Sequence, residues 1–176
     1  MKPVDLQSSS LRVVAVSPKA AGASIKFAWG RFEKIASELL PLWERHWEEI
    51  ALDKEQIPLK PHFESFYGYE VVGALRILTA RDARTRDLVG YCFNLLGPHL
   101  HYSIKHAHTD MFWLAPEYRT GWNGVRMLAA NRRGLKQLGV VLHTISFKIG
   151  FEDGRVGKVL KRLDYAPSDI IMRAIL

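Results

Sequence analysis

The stretch APEYRTGWNGVRMLAANRRGL, residues 115–135, decides the fold of this chain. It begins like the end of a strand and passes through a turn that holds Gly121 and Gly124 into an amphipathic helix. The first amides of a helix have no partners within the helix and lie at the positive end of its dipole. We therefore expect this turn to bind an anion, and in particular a phosphate group.

The residues on either side predict further strands and helices. Short β-branched or apolar runs indicate strands, and apolar residues at helical spacing indicate helices. The predicted strands are residues 11–16, 74–80, 88–96, 108–115, 140–147 (a buried strand) and 169–175. The predicted helices are residues 27–51, 63–73, 121–138 and 153–163. We expect Pro41 to divide or bend the first helix, and the strands on either side of the polar turn at 81–87 to pair antiparallel.

Length and composition predict one basic domain. With 176 residues, 48% of them apolar, the chain can bury a sizeable core, so we expect a single domain, residues 11–176, behind a loose Ser-rich tail, residues 1–10. The 25 Lys and Arg residues against 18 Asp and Glu residues leave a net charge of +7. Such a surface attracts polyanions, which include nucleotide phosphates, nucleic acids and acidic proteins.

The cysteine count and the apolar runs indicate a compartment. Cys92 is the single cysteine, which excludes an internal disulfide and a multi-cysteine zinc site. It lies in an apolar strand, so we expect it to pack in the core rather than act as a nucleophile. No run has the length and apolarity of a transmembrane helix, and the first ten residues lack a signal-peptide core. We therefore expect a cytoplasmic protein that does not enter a membrane.

The region from about residue 73 to the C-terminus resembles the GCN5-related N-acetyltransferases (GNAT family). The resemblance is carried by DMFWLAP (110–116), EYRTGWNG (117–124), the helix that follows, the strand LGVVLHTIS (138–146) and the helix that ends in LKRLDY (160–165). The chain resembles in particular the compact acetyltransferase-like proteins of bacteriophages, through TARD (79–82), LVGY (88–91), HLHY (99–102) and PEYR (116–119).

This resemblance implies a fold and a reaction. The implied fold is mixed α/β (α+β), with a mostly antiparallel central sheet flanked by helices and a splayed strand pair that forms an acyl-CoA cleft. Residues 74–176 would form the sheet and the coenzyme-binding core, and residues 27–73 a helical region on the acceptor side. The implied reaction moves an acetyl group from acetyl-CoA to an amine, by direct attack in a ternary complex. The acceptor is left open between a small molecule, a protein lysine and a protein N-terminus, and a dimer is possible.

The family's phosphate-binding signature is Gln or Arg, two residues, Gly, one residue, then Gly or Ala. Arg119 and Gly124 match its ends, whereas Trp122 occupies the middle glycine position and Gly121 lies one residue early. We expect amides from about Gly121 to Arg126 to hold the coenzyme A pyrophosphate, with the indole ring turned away. The strand before the turn would pair its backbone with the pantetheine amides. The implied coenzyme-binding residues are Phe112, Trp113, Leu114, Arg119, Thr120, Gly121, Trp122, Asn123, Gly124, Val125 and Arg126.

The implied catalytic base lies on the strand 108–115. Family members often carry a carboxylate there, and strand alternation places His108, Asp110 and Phe112 on one face. Asp110 or His108 is therefore the candidate base, acting through a water molecule. The tyrosine acid that is common in the family has no counterpart, because Leu160 occupies its position. A catalytically degenerate protein that binds a host protein or nucleic acid through its basic surface is therefore the alternative.

The histidines allow a second interpretation. The pairs His99/His101 and His106/His108 alternate on a predicted hairpin, and alternating imidazoles can point at one metal ion. The family needs no metal, so we expect no metal site. We expect His143, on the next strand, to be a hydrogen-bonded core histidine.

Overall fold

The computed structural model describes residues 24–148 and 154–175. The predicted tail, residues 1–10, and the predicted strand 11–16 lie outside the described residues. The strands are β1 (Ile25–Gly30), β2 (Leu75–Asp82), β3 (Leu88–Pro98), β4 (Lys105–Leu114) and β5 (Leu142–Ile145). The helices are α1 (Phe32–Ile50), α2 (Phe63–Val71), α3 (Asn123–Gln137) and α4 (Arg155–Arg162), and a short 3-10 turn, Pro116–Tyr118, links β4 to α3.

The strands form one sheet in the order β1-β2-β3-β4-β5. Strands β1 to β4 pair antiparallel with one another. Strand β5 runs parallel to β4, because α3 crosses over between them. Helices α1 and α2 pack on one face of the sheet, and α3 and α4 pack on the other. The predicted class, a mixed α/β protein with a mostly antiparallel sheet flanked by helices, is confirmed.

The face under α1 and α2 has an aromatic core. The ring of Phe32 is fully buried, and its centroid lies 4.9 Å from that of Phe66 and 6.2 Å from that of Trp43. Burying such a side chain contributes about 2 to 3 kcal/mol to stability. Glu70 of α2 accepts hydrogen bonds from the backbone amides of Phe32 and Glu33, at 2.5 and 3.3 Å. This long-range cap satisfies two free amides at the start of α1 and fixes α2 against it.

The first predicted helix, residues 27–51, is wrong at its start. Residues 25–30 form β1, which pairs with β2 from Ile25 opposite Asp82 to Gly30 opposite Ile77. Apolar spacing alone did not distinguish this short strand from a helical turn, because the strand exists only through pairing with β2. Pro41 does not divide the helix, since α1 is one element from Phe32 to Ile50. The helical region predicted on the acceptor side therefore also contains a strand.

The last predicted strand, residues 169–175, is wrong as well. The segment has no regular structure, and Ile170, Ile171 and Met172 are more than two thirds exposed. Its apolar residues favour a strand, but a strand also needs a neighbour to pair with, and the segment pairs with none of the described strands. The predicted buried strand 140–147 is shorter, at Leu142–Ile145, and half-exposed. None of the described helices is both long and apolar enough to cross a membrane.

Candidate active site

The strands β4 and β5 separate midway along β4. Their pairing runs from His106 opposite Leu142 to Thr109 opposite Ile145, and the amide of Ser146 donates to the carbonyl of Thr109 at 3.2 Å. Beyond this point β4 continues to Leu114 with no described strand on that side. The structure therefore has a fork between two parallel strands, as predicted for the splayed pair.

A β-bulge lies at the fork. On β3, Phe93 lies opposite Met111 and Asn94 lies opposite Thr109, so Asp110 is an extra residue on β4. Asp110 is exposed, and no hydrogen bond to its carboxylate occurs among the described residues. The bulge therefore presents a carboxylate at the point where the two strands part.

The bulge also changes the alternation along β4. Thr109 lies on the α3 side, where its hydroxyl contacts Asn131, so His108 lies on the α1 and α2 side. After the bulge, Met111 packs on the α1 side and Phe112 on the α3 side. The prediction that His108, Asp110 and Phe112 share one face is wrong, because the extra residue reverses the alternation between His108 and Phe112.

The backbone of β4 beyond the fork has free groups at its open edge. The amide of Ala115 donates to Val89 of β3 at 2.8 Å, so alternation points the backbone groups of Leu114 and Phe112 away from β3. The carbonyl of Leu114 accepts from Nε of Arg119 at 2.6 Å. The backbone groups of Phe112 thus face the opening, whereas the backbone groups of Trp113 face β3. The carbonyl of Leu114 is already bonded to Arg119.

The turn before α3 has open space beside its glycines. Gly121 has a φ of 55°, which favours glycine, and a Cβ added at Gly121 or Gly124 would meet no atom within 4 Å. The amide of Arg126 donates to the carbonyl of Trp122, whereas those of Gly121, Trp122, Gly124 and Val125 make no hydrogen bond within the described residues. Free amides behind an open surface are a suitable site for phosphate oxygens.

The side chains of this turn contact residues outside it. The ring of Trp122 is 63% exposed, and the guanidinium carbon of Arg162 on α4 lies 5.7 Å from its centroid. The side chain of Asn123 is buried and donates to the carbonyl of Tyr118 at 3.1 Å. The guanidinium of Arg126 lies 5.8 Å from the ring centroid of Phe27.

The side chain of Arg119 is bound within the protein. Its Nη1 and Nη2 donate to the two carboxylate oxygens of Glu49 on α1 at 2.5 and 2.6 Å, and Nε1 of Trp113 donates to Glu49 at 2.8 Å. These bonds from Arg119, joined by that from Trp113, lower the pKa of the Glu49 carboxyl against the opposing effect of burial. The first signature residue therefore anchors the turn to α1. Sequence reasoning missed Glu49, because nothing in the helical pattern separates it from the other glutamates of α1.

His108 belongs to a chain of hydroxyl and imidazole groups at the fork. Its Nδ1 lies 2.8 Å from Oγ1 of Thr144, and its Nε2 lies 3.3 Å from Oγ of Ser146. The same Oγ1 lies 3.0 Å from Nε2 of His106. Burial, followed by the neighbouring His99 and His108, lowers the pKa of His106. This series of hydrogen-bonded side chains ends at the fork, on the face of the sheet covered by α1 and α2.

A second polar chain lies on the opposite face. The hydroxyl of Tyr165 lies 2.5 Å from Nδ1 of His143, and Nε2 of His143 lies 2.7 Å from Oγ1 of Thr109. Thr109 in turn donates to Oδ1 of Asn94 at 2.6 Å. Burial lowers the pKa of His143 to about 4, so the ring is neutral at pH 7 and both nitrogens are hydrogen-bonded. Leu160, where the family has a tyrosine, is 4% exposed and belongs to the core.

A cavity of about 370 Å³ opens on the α1 and α2 face at the fork. Its walls come from the second half of α1, the segment 51–61, the side of α2, Met111 of β4 and Lys148 beyond β5. Met111 follows the bulge residue Asp110 directly, and Lys148 lies two residues after Ser146. Strand β4 and the segment that follows β5 therefore both contribute to the wall of this cavity.

Similar proteins are found by structure and not by sequence. No protein-family model and no curated protein matches this chain. A ribosomal-protein-alanine N-acetyltransferase from Brucella melitensis biovar Abortus 2308 is 16% identical, with a TM-score of 0.62 over 87% of this chain and 99% of that chain. An aminoglycoside acetyltransferase from an uncultured soil metagenomic sample, in complex with sisomicin, is 10% identical, with a TM-score of 0.67 over 86% and 95% of the two chains. An acetyltransferase from Trypanosoma brucei is 13% identical, with a TM-score of 0.63 over 87% and 100%.

This chain has the GNAT fold. At these levels of sequence identity the likeness concerns the fold alone. The reaction has to be argued from the residues of the fork and of the turn before α3. Within the GNAT fold, the predicted residues separate into three groups: free amides at the α3 start, an open backbone edge at Phe112, and Asp110 and His108 at the fork.

Two further expectations concern metals and thiols. Within residues 24–148 and 154–175, no three side chains of His, Cys, Asp or Glu come together in a way that could hold a metal ion. The thiol of Cys92 is fully buried, and burial raises its pKa. A thiol in that state is not a nucleophile.

Proposed function

We propose that the protein is an N-acetyltransferase that moves the acetyl group of acetyl-CoA to an amine by direct attack. The observation that carries the proposal is the fork between β4 and β5, with the exposed Asp110 on its bulge and the free amides of the α3 start beyond the end of β4. The fold shared with acetyltransferases supports the assignment.

The chain offers acetyl-CoA two kinds of contact. The free amides from Gly121 to Val125 would donate to the pyrophosphate, and the positive end of the α3 dipole would favour its charge. The open backbone edge at Phe112 would pair with the pantetheine amides as an added strand does. The fork itself leaves room for the thioester between the two strands.

The reaction needs a base for the acceptor amine. Its nitrogen would attack the thioester carbonyl carbon, the C–S bond would break, and the coenzyme would leave as a thiolate that takes up a proton. Asp110 is exposed at the fork, so it can accept the ammonium proton through water. His108 would serve as the alternative base, with its Nε2 3.3 Å from the hydroxyl of Ser146.

The chain supplies no tyrosine acid from α4. Leu160 is buried in the core, and Tyr165 bonds to His143 on the α3 face. A thiolate is a good enough leaving group to depart without a strong acid, and the proton lost by the amine can reach it through water. The proposed mechanism therefore depends on the base and on positioning.

The acceptor amine would occupy the cavity beside Met111. Two similar structures are named for a ribosomal-protein alanine and for aminoglycosides, so both protein and small-molecule amines belong to the acceptors to be tested. The proposal includes action in the cytoplasm, where acetyl-CoA is available. The resemblance to phage proteins favours a phage-infected bacterial cell as that setting.

Coenzyme binding is the direct test. A ligand that binds the folded state must stabilise it, so saturating acetyl-CoA should raise the melting temperature. We expect acetyl-CoA to raise it and adenosine alone to raise it less, because the pyrophosphate makes the bonds at the α3 start. An unchanged melting temperature at saturating acetyl-CoA would overturn the proposal.

A second candidate function is binding of a polyanion without catalysis. A cavity of about 500 Å³ beside β1 is lined by five cationic side chains, although Arg81 is paired with Glu38 and Arg31 lies near Glu33. The five are Lys26, Arg31, Lys34, Arg81 and Arg86. Nucleic-acid binding would show retention on DNA that falls steeply with salt, and acetyl transfer would then be absent.

A further inference from the structure

The cavity beside the fork has walls of two different kinds. Its interior is mostly apolar and aromatic, with Trp43, Trp47, Ile57, Leu59, Phe66 and Met111 among the lining residues. Among the residues that the structure describes, the charged ones that line it are Lys60, Lys148, Arg173 and Asp53, and the carboxylate of Asp53 is paired with Arg173. The lining thus carries three cations against one carboxylate.

This charge decides which amines the cavity accepts. A polyamine or an aminoglycoside carries several ammonium groups, and each would meet like charge from Lys60 and Lys148, with no unpaired carboxylate among the described lining residues to offset it. His46, which also lines the cavity, adds no charge of either sign, since burial lowers its pKa to about 4 and leaves the ring neutral at pH 7. An acceptor that carries an anionic group instead gains a partner.

The placement of Lys148 locates that anionic group. Lys148 follows the end of β5 by three residues and Met111 follows the bulge residue by one, and both line this cavity. An amine that reaches the thioester at the fork therefore brings any nearby carboxylate toward Lys148. The aromatic wall is left for an apolar group on the same molecule.

We infer that the acceptor is a free α-amino acid with a large apolar side chain. In such a molecule the amine and the carboxylate share one carbon, and the side chain leaves from the same carbon in a third direction. This matches the three parts of the site: the fork, Lys148 and the aromatic wall. A volume of about 370 Å³ lies in the range of small-molecule pockets. The inference rests on the proposed acetyl transfer and adds the class of its acceptor.

The experiment compares three amines with acetyl-CoA as donor. L-Phenylalanine carries the amine, the carboxylate and the apolar group, L-phenylalaninamide lacks only the carboxylate, and spermidine is a polycation without an apolar ring. Release of coenzyme A thiol reports transfer to each. The amine of phenylalaninamide is less basic than that of phenylalanine, so a larger fraction of it is unprotonated and able to attack at pH 7. This difference favours phenylalaninamide, so a preference for phenylalanine would be seen in spite of it.

We expect kcat/KM for phenylalanine to exceed that for phenylalaninamide by about tenfold or more, the effect of one charge-assisted hydrogen bond. Spermidine should be the poorest acceptor. The variant Lys148→Gln should raise KM for phenylalanine by a similar factor and leave KM for phenylalaninamide and for acetyl-CoA unchanged. Lys136→Gln, an exposed lysine in the last turn of α3, is the matched control and should change none of these values.

The outcomes separate the inference from the proposed function. Suppose that acetyl-CoA stabilises the protein. If phenylalaninamide or spermidine is then acetylated with a kcat/KM equal to that for phenylalanine, or if phenylalanine is not acetylated, the inference is overturned and the proposed function stands. An unchanged KM for phenylalanine in Lys148→Gln also overturns it. If acetyl-CoA does not bind, the proposed function fails and the inference fails with it.

Discussion

Arg119 and Glu49 form a two-point ion pair, with Nη1–Oε1 and Nη2–Oε2 distances of 2.5 and 2.6 Å, between the turn that follows β4 and the end of α1. The indole of Trp113 donates to the same carboxylate, and Nε of Arg119 donates to the carbonyl of Leu114. The pair therefore connects the two layers that flank the fork. It holds the turn before α3 at a fixed position relative to α1.

Glu49→Gln should reduce stability by about 1 kcal/mol. The ion pair is only partly buried, so its contribution lies between that of an exposed salt bridge and that of a buried charge-assisted hydrogen bond. The pKa of Glu49 is lowered in the folded state. The contribution of its carboxylate to stability is therefore complete at pH values above the ordinary pKa of a carboxyl group, and it is lost as the pH falls through the lowered pKa. Urea unfolding at pH 7 and pH 3 measures this. Equal destabilisation by the variant at both pH values would contradict the ion pair.

Gly124→Glu should abolish stabilisation by acetyl-CoA. A Cβ added at Gly124 meets no atom within 4 Å, so we expect the fold to be kept, but the carboxylate would stand beside the amides expected to hold pyrophosphate. Gly68→Glu is the matched control, since Gly68 also lies in a helix with open space around it. Melting temperatures with and without acetyl-CoA report the difference. A full response in Gly124→Glu would place the pyrophosphate elsewhere.

Asp110→Asn should lower kcat by about a hundredfold, the usual contribution of a general base, with little change in stability because the residue is exposed. His108→Gln tests the other candidate, and Asp87→Asn, in the turn between β2 and β3, is the control for loss of one surface charge. Steady-state rates with a working acceptor decide between them. Unchanged rates in both Asp110→Asn and His108→Gln would remove both residues as bases.

Acidification should destabilise the protein through His46 and His143. Burial lowers the pKa of each to about 4 from an ordinary value of 6.5. The unfolded chain therefore binds more protons between these values, so stability is complete above pH 6.5 and falls as the pH drops toward 4. The loss is on the order of a few kcal/mol for the two rings together. Urea unfolding from pH 7.5 to pH 4 measures it, and a flat profile would contradict the buried neutral rings.

Thr109→Val should cost about 1 to 3 kcal/mol, because it leaves Nε2 of His143 without its partner and removes one of the two acceptors of the Asn131 amide. Thr144→Val, which removes a hydroxyl from the half-exposed chain at His108, should cost less. Urea unfolding of both variants gives the comparison. Equal losses would show that burial of the network adds nothing.

Several elements follow from local patterns in the sequence. The helix α3 and the glycine-bearing turn before it are local, since apolar spacing and backbone freedom act over a few residues. The pairing of β2 with β3 is also local, because a short polar turn joins them. The parts that were wrong, β1 and the segment 169–175, depend on which strand lies beside them. Pairing partners are not encoded within the segment itself.

The candidate site divides in the same way. The sequence by itself determined the mostly antiparallel sheet flanked by helices, the helix start with free amides, and the absence of a tyrosine at Leu160. Only the tertiary structure decided that Asp110 is the extra residue of a bulge, because a bulge is defined by a mismatch of register with β3. It also decided that Glu49 receives Arg119 across 70 residues and that Met111 and Lys148 line one cavity. These contacts join segments distant in the chain, and their energy comes from packing that no local pattern contains.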